Sequence, residues 1–182
     1  DLLAAYDAAG DIQRKSASVL VENVEWADEF WKPCASSGPI PFPYKFRHAN
    51  AWASGDNVYI LRYDDILLLK AEALNELNRG SDALTPLNYV RDRVDLDGIT
   101  TTDKEALRDI ILNERRLELA FEGYRWDDLV RTGKAVSKMN NLQEFKLTCG
   151  GGSTAMNYNM SQEKTLMPIP QSELNRNPAL NP

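Results

Sequence analysis

The sequence predicts an all-α domain of helical hairpins, one of them tetratricopeptide-like, joined by long irregular segments. Three observations carry this. Asn57–Asn78 and Ser81–Val94 repeat apolar residues at helical spacing on either side of Arg79–Gly80. A long charged and apolar stretch from Thr102 to Glu122 follows the same period. Between Val21 and Gly55, Pro33, Gly38, Pro39, Pro41 and Pro43 break up any regular pattern.

Residues 1–20 read as a short helix with a turn at Gly10–Asp11. The proline-punctuated segment after it carries Trp26, Phe30, Trp31, Phe42, Tyr44, Phe46 and Trp52, with a short strand expected around Tyr44–Phe46. In the next helix, Ile60, Tyr63, Leu67, Ala71, Leu74 and Leu77 share one face, while Asp65, Glu72 and Glu76 form a narrow solvated strip. Gly80 is expected to close it as a C′ residue. The partner helix places Ala83, Leu87, Val90 and Val94 on one side, and Pro86 fits only as a first helical residue capped by Thr85. Ala71, Leu74, Ala83, Leu87 and Val90 fall at tetratricopeptide packing positions, a match that any αα-hairpin with small crossing residues would give nearly as well.

Asp95–Thr102 reads as a turn. Thr102 and Glu105 have capping-box spacing and open a helix to about Glu122, which Gly123 breaks. A short helix over Tyr124–Arg131 is closed by Gly133. The polar arm Lys134–Lys164, with Gly150–Gly152, reads as a long loop, and Pro168 and Pro170 stiffen the tail before one turn at Gln171–Asn175. The chain thus divides into residues 1–57 (aromatic-rich, with a short first helix), 58–133 (the helical core) and 134–182 (loop and tail), all within one domain of a larger protein.

Composition narrows function. A net charge of −6 and a pI near 4.9 argue against a nucleic-acid surface and favour neutral over acidic ligands. No apolar run of about 18 residues is present to span a membrane. The chain starts at Asp1 without methionine, so a processed precursor or a fragment is expected, and a targeting signal or lipid anchor would lie outside it. Cys34 and Cys149 leave a disulfide and two separate thiols equally open.

Chemistry concentrates in Ile111–Arg131. Leu107, Ile110, Ile111, Leu117 and Phe121 form a stripe, and Glu114 and Glu118 point into its middle. A carboxylate aimed at a core must be paired, protonated or metal-bound, because burying it alone is costly. Catalysis or half of a metal site would need a partner such as a Glu-x-x-His motif on a facing helix, and the one histidine, His48, lies in the irregular segment. A structural ion-pair network is therefore the favoured reading, built from Glu114, Glu118, Arg115, Arg125, Asp127 and Arg131, with Arg91 and Arg93 as further partners. Asp127 and Arg131 are an i, i+4 pair. Asp95-Leu96-Asp97-Gly98 hints at calcium, but aligning Gly98 to an EF-hand puts Arg93 and Lys104 at ligand positions, which rejects it. No nucleophile elbow, phosphate loop, dinucleotide fingerprint or zinc set is present, so no cofactor and no metal is expected. Loop aromatics remain as ligand-binding candidates: Trp26, Trp31, Tyr44 and Trp52, whose rings would stack on a sugar face or grip a peptide side chain.

Several segments, in order, resemble a known family. RYDDILLLKAEALNE (Arg62–Glu76), ALTPLNYVRDR (Ala83–Arg93), ILNERRLELAFEGYRWDDLVRTG (Ile111–Gly133) and LMPIPQSELNRNPAL (Leu166–Leu180) are similar to the C-terminal half of SusD/RagB-type proteins, and LLAAYDAAGDIQRK (Leu2–Lys15) is similar to that half's start. The resemblance implies a SusD-like C-terminal region of an outer-membrane, cell-surface lipoprotein of Bacteroidota. It also implies non-catalytic binding of a glycan or oligosaccharide and delivery to a SusC-like TonB-dependent transporter. Membrane contact would be only through a lipid anchor absent from this chain. A peptide-binding member, or a helical scaffold docking to the transporter, is the alternative, and a carboxylate enzyme using Glu114 and Glu118 the third reading. No family binding motif carries over, because the ligand loops vary.

Overall fold

The computed structural model describes residues 1–22, 40–46, 57, 59–142, 144–148 and 152–180, and the fold is mostly helical. Two short helices open it, α1 (Leu2–Ala9) and α2 (Ile12–Ser18), so the turn at Gly10–Asp11 divides what the sequence suggested was one helix. Gly10 sits at φ 68, a conformation that costs glycine little, and its N–H reaches back to the Asp7 carbonyl. Asp11 caps α2 by accepting the Arg14 N–H at 3.0 Å.

Strands β1 (Val19–Glu22) and β2 (Ile40–Pro43) pair antiparallel, with Leu20 opposite Phe42. The expected strand at Tyr44–Phe46 thus lies a few residues earlier, and Tyr44 instead follows it, donating its N–H to the Ser18 carbonyl at 2.8 Å. Prolines 41 and 43 are tolerated in β2 because a two-stranded ribbon leaves one side of each strand without a ladder.

Helices α3 (Tyr63–Glu76) and α4 (Gly80–Asp92) form the predicted hairpin. Its details differ from the sequence reading in four ways. The buried face of α3 runs through Asp65, Leu67, Leu68, Ala71 and Asn75, while Tyr63 and Leu77 are exposed. Asp65 falls on the solvated strip in the sequence reading because a hydrophobicity count cannot see the specific partners that allow a polar group to be buried. Asn75, for instance, donates to the Lys104 carbonyl at 2.9 Å. The left-handed residue closing α3 is Asn78, at φ 60, rather than Gly80. Pro86 lies inside α4 and is buried, with the helix already running from Gly80.

Helix α5 (Lys104–Glu118) is capped by Asp103, which accepts the Ala106 N–H at 2.8 Å, one residue after the predicted Thr102 cap. A Cβ at Gly80 would lie 2.7 Å from the Thr102 carbonyl oxygen, so the two segments touch backbone to backbone. The helix ends at Glu118 rather than Glu122, and Phe121 turns outward at φ 66 and 42% exposed, leaving the predicted stripe.

Among the described residues three apolar clusters form, and α5 contributes to each. Leu107 and Ile111 pack with Leu67, Leu68, Ala71, Leu87 and Val90 of the hairpin. Leu117 packs on Tyr6 and Ala120. Leu112 packs on Leu129 of α6 (Arg125–Arg131) and Ala135 of α7 (Ala135–Asn140). The arm read as a loop contains α7 and a second antiparallel hairpin, β3 (Phe145–Thr148) with β4 (Gly152–Ala155). The Asn140 side chain ties the arm back, donating to the Met160 carbonyl at 3.0 Å and accepting its N–H at 2.7 Å. Among the described residues the tail forms one short helix, α8 (Gln171–Arg176), flanked by single 3₁₀ turns. No helix of the described residues is long and apolar enough to cross a membrane.

Gly80→Ala should lower unfolding free energy in urea by about 1–3 kcal/mol, the range for forcing an atom into a packed site. Ser81→Ala, one residue on and exposed, should stay within about 0.5 kcal/mol. Equal effects at the two positions would refute the backbone contact.

Candidate functional site

Helix α5 projects consecutive charged residues to different sides, since neighbours on a helix are about 100° apart, and Glu114, Arg115 and Glu118 are all buried. Glu114 and Glu118 face the first two helices and the α3–α4 hairpin. Arg14 of α2 places Nη1 2.7 Å from Glu114 and 3.1 Å from Glu118. Arg91 of α4 donates to Glu114 at 2.7 Å. Arg62, just before α3, donates to Glu118 at 3.0 Å, and Arg93 to the same carboxylate at 2.7 Å. Glu122, beyond the helix end, takes Arg62 at 2.8 Å and Lys45 at 2.5 Å. Among the described residues Asp11, Asp64, Glu114, Glu118 and Glu122 therefore meet Arg14, Lys45, Arg62, Arg91 and Arg93 one for one.

The same cations close the end of α5. The Glu118 carbonyl accepts from Lys45 at 2.7 Å and from Arg62 at 3.0 Å, and the Leu117 carbonyl accepts from the buried Tyr6 hydroxyl at 2.7 Å. Positive charge at a helix C-terminus offsets the dipole and satisfies orphan carbonyls.

On the other side, Arg115 bridges Asp65 at 2.7 Å and Asp128 at 2.8 Å. Asp128 also takes Arg131, which reaches on to Glu72 at 2.9 Å. This second frame ties α3, α5 and α6 together. It revises two expectations. Asp127 is exposed and forms no ion pair among the described residues, because Arg131 takes the i−3 acid Asp128 instead. Arg125 is not part of the frame: it forms no ion pair among the described residues, and its Nη1 is buried without a hydrogen-bond partner.

Burial by itself would push the Glu118 carboxyl up, but Arg93, Arg62 and Arg14 outweigh it and hold it below the usual carboxylate value. A carboxyl held ionised between guanidinium groups has no proton to give as a general acid. The expected turn at Asp95–Asp97 is tied into the fold: Asp95 accepts from Gln13 at 2.5 Å, and Arg91 donates to the Asp97 carbonyl at 2.8 Å.

A cleft of about 710 Å³ opens between the end of α5 and helices α6 and α7. Arg116, Phe121, Tyr124, Arg125, Lys138 and Met139 are among the residues that line it. Burial pushes the Arg125 guanidinium down to about 10, the Arg116 charge adds to that, and Asp128 offsets part of it. This cleft is not legible in local sequence pattern, because residues far apart in the chain line it. Of the aromatic candidates, Tyr44 is half-buried beside β2, and Trp26, Trp31 and Trp52 lie outside the described residues. Trp126 is 37% exposed on α6.

The sequence profile of the SusD family matches residues 39–182. SusD-like protein P38 of Formosa agariphila is 45% identical over 109 residues, covering 54% of this chain and 22% of that protein. SusD-like protein P25 of the same organism is 30% identical over 165 residues, covering 87% and 27%. The chain thus spans about a quarter of the length of these curated relatives. Among solved structures, a SusD-like protein from Bacteroides fragilis is 32% identical with a TM-score of 0.57, covering 66% of this chain and 24% of that one. A SusD homolog from Bacteroides thetaiotaomicron, 24% identical, shares the fold over 96% of this chain and 41% of its own, with a TM-score of 0.63.

Replacing Glu118 by Gln leaves three guanidinium groups facing a neutral amide, and should cost about 3–5 kcal/mol of unfolding free energy. Because the folded carboxyl is depressed, its contribution is present above the unfolded carboxylate value and is lost as pH falls through the folded one. Urea titrations from neutral into acid pH should therefore show a shallower decline for Glu118→Gln than for the parent. A parallel decline would mean that Glu118 is not held ionised.

Proposed function

The chain belongs to the SusD family, and from that premise we propose that it is part of a non-catalytic nutrient-binding protein. Its ligand is a glycan or oligosaccharide captured at the cell surface. The ligand passes uncleaved to a SusC-like TonB-dependent transporter, the protein being held to the outer membrane by a lipid anchor. The observation that supports this most directly is the family match over residues 39–182, together with a shared fold over 96% of the chain.

The physical division of labour agrees with this reading. The buried acids of α5 are consumed by arginines, so they build a rigid scaffold and offer no free acid–base pair. Ligand contacts are assigned to the aromatic rings of Trp26, Trp31, Tyr44 and Trp52, which would give pyranose rings apolar faces to stack on. Asn, Asp and Arg side chains nearby would supply the orienting hydrogen bonds.

Titration with a panel of soluble oligosaccharides should quench tryptophan fluorescence. Trp→Ala at positions 26, 31 or 52 should weaken binding about two- to tenfold per ring, the value of one aromatic contact, with the melting temperature unchanged. If the panel gives no binding while oligopeptides remain bound to the purified protein in native mass spectrometry, the glycan reading fails. If glycans bind and all three variants behave as the parent, the ring assignment fails.

A further inference from the structure

We propose that the cleft between the end of α5 and helices α6 and α7 is a carboxylate-binding subsite, and that the group it takes is a uronate, a sugar carrying its acid on the ring. This deepens the glycan-binding reading and rests on it.

The first observation is a cation without an ion pair. The Arg125 Nη1 is buried with no hydrogen-bond partner, and no carboxylate of the described residues forms an ion pair with this guanidinium. Guanidinium carries five N–H donors in a fixed fork, and a buried donor without an acceptor is costly. The acids that border the same space are already engaged. Asp128 is taken by Arg115 and Arg131, Asp1 by Arg116, and Glu144 accepts the Tyr158 hydroxyl at 2.6 Å. Lys138, also on the lining, has no ion pair among the described residues. The cleft therefore holds two cations without ion pairs, Arg125 and Lys138, against one acid, Glu144, whose charge the Tyr158 hydroxyl does not neutralise.

The second observation is size and surface. About 710 Å³ is the volume of a small-molecule site, far larger than one inorganic ion requires. Phe121 and Tyr124 border it, and the Tyr124 hydroxyl is anchored to the Ile60 carbonyl at 2.6 Å, which fixes its ring. Aromatic rings and a guanidinium fork lining one space suit a ligand with an apolar ring face and a planar acid. The net charge of −6 does not oppose this. Exposed charges are screened within about 8–10 Å at ordinary salt, whereas Arg125 acts at contact range in a partly dry site.

The test is calorimetric titration and thermal shift of the protein with trigalacturonic acid, its fully methyl-esterified form, a panel of neutral oligosaccharides, and sodium sulfate at matched ionic strength. The triacid should bind and raise the melting temperature, and the ester should bind at least about tenfold more weakly, as expected for losing a charge-assisted pair. Arg125→Gln should lose the same factor for the triacid. Without ligand its melting temperature should be equal to or above the parent's, because the change removes a buried charge that has no partner. Lys138→Ala should lose a smaller factor, since that side chain is more exposed. The proposal is overturned if the ester binds as well as the acid, if Arg125→Gln binds unchanged, or if sulfate reproduces the shift. Neutral oligosaccharides binding while the triacid does not would sink the uronate subsite and leave the glycan reading standing. Binding by none of the sugars would sink both.

Discussion

Removing a carboxylate from water costs several kcal/mol unless cations and donors replace the solvent, and α5 places Glu114 and Glu118 where water does not reach. Much of the surrounding architecture follows from meeting that demand. The cations come from separate parts of the chain: Arg14 from α2, Arg62 from the segment before α3, and Arg91 and Arg93 from the end of α4. Each must arrive at hydrogen-bond distance, so the carboxylates dictate where those segments sit. Apolar packing around Leu107, Ile111, Leu112 and Leu117 supplies the driving force, but it is non-directional. The ion pairs add the direction.

The end of α5 illustrates the economy of this arrangement. Lys45 and Arg62 each serve the Glu122 carboxylate and the Glu118 carbonyl together. One pair of side chains thus neutralises an acid, satisfies an orphan helix carbonyl and fixes the segment after β2 against the core. Tyr6 does the same for α1, filling an apolar site while its hydroxyl caps Leu117. A shift of α5 would disturb all of these contacts at once.

The second frame, around Arg115, is what leaves Arg125 outside. Asp128 accepts hydrogen bonds from Arg115 and Arg131, whereas Arg125 forms no ion pair with it. Arg125 is drawn into a partly buried position by the short helix it opens, and its charge is left facing a cleft. The cleft is lined by residues of α1, α5, α6 and α7 together, so it cannot be inferred from any one helix alone.

The sequence by itself determined the all-α class, the α3–α4 hairpin, a capped helix carrying inward-facing acids, and the order of segments that marks the family. These depend on local periodicity, on turn residues and on the fact that a carboxylate inside an apolar stripe needs a cation. It misplaced features decided by long-range partners. Asp65 looked solvated because its partner, Arg115, is 50 residues away. Gly80 looked like a helix stop, although its small size is required by the Thr102 carbonyl. Residues 134–164 looked like loop because α7 and its hairpin carry little apolar period and are held by contacts such as Asn140 with Met160. Pairing of Arg131 with Asp128 and not Asp127, and the exclusion of Arg125, were settled only by tertiary structure. Local spacing offers each charged residue several partners, and only the packed geometry decides which pair forms and which charge is left over.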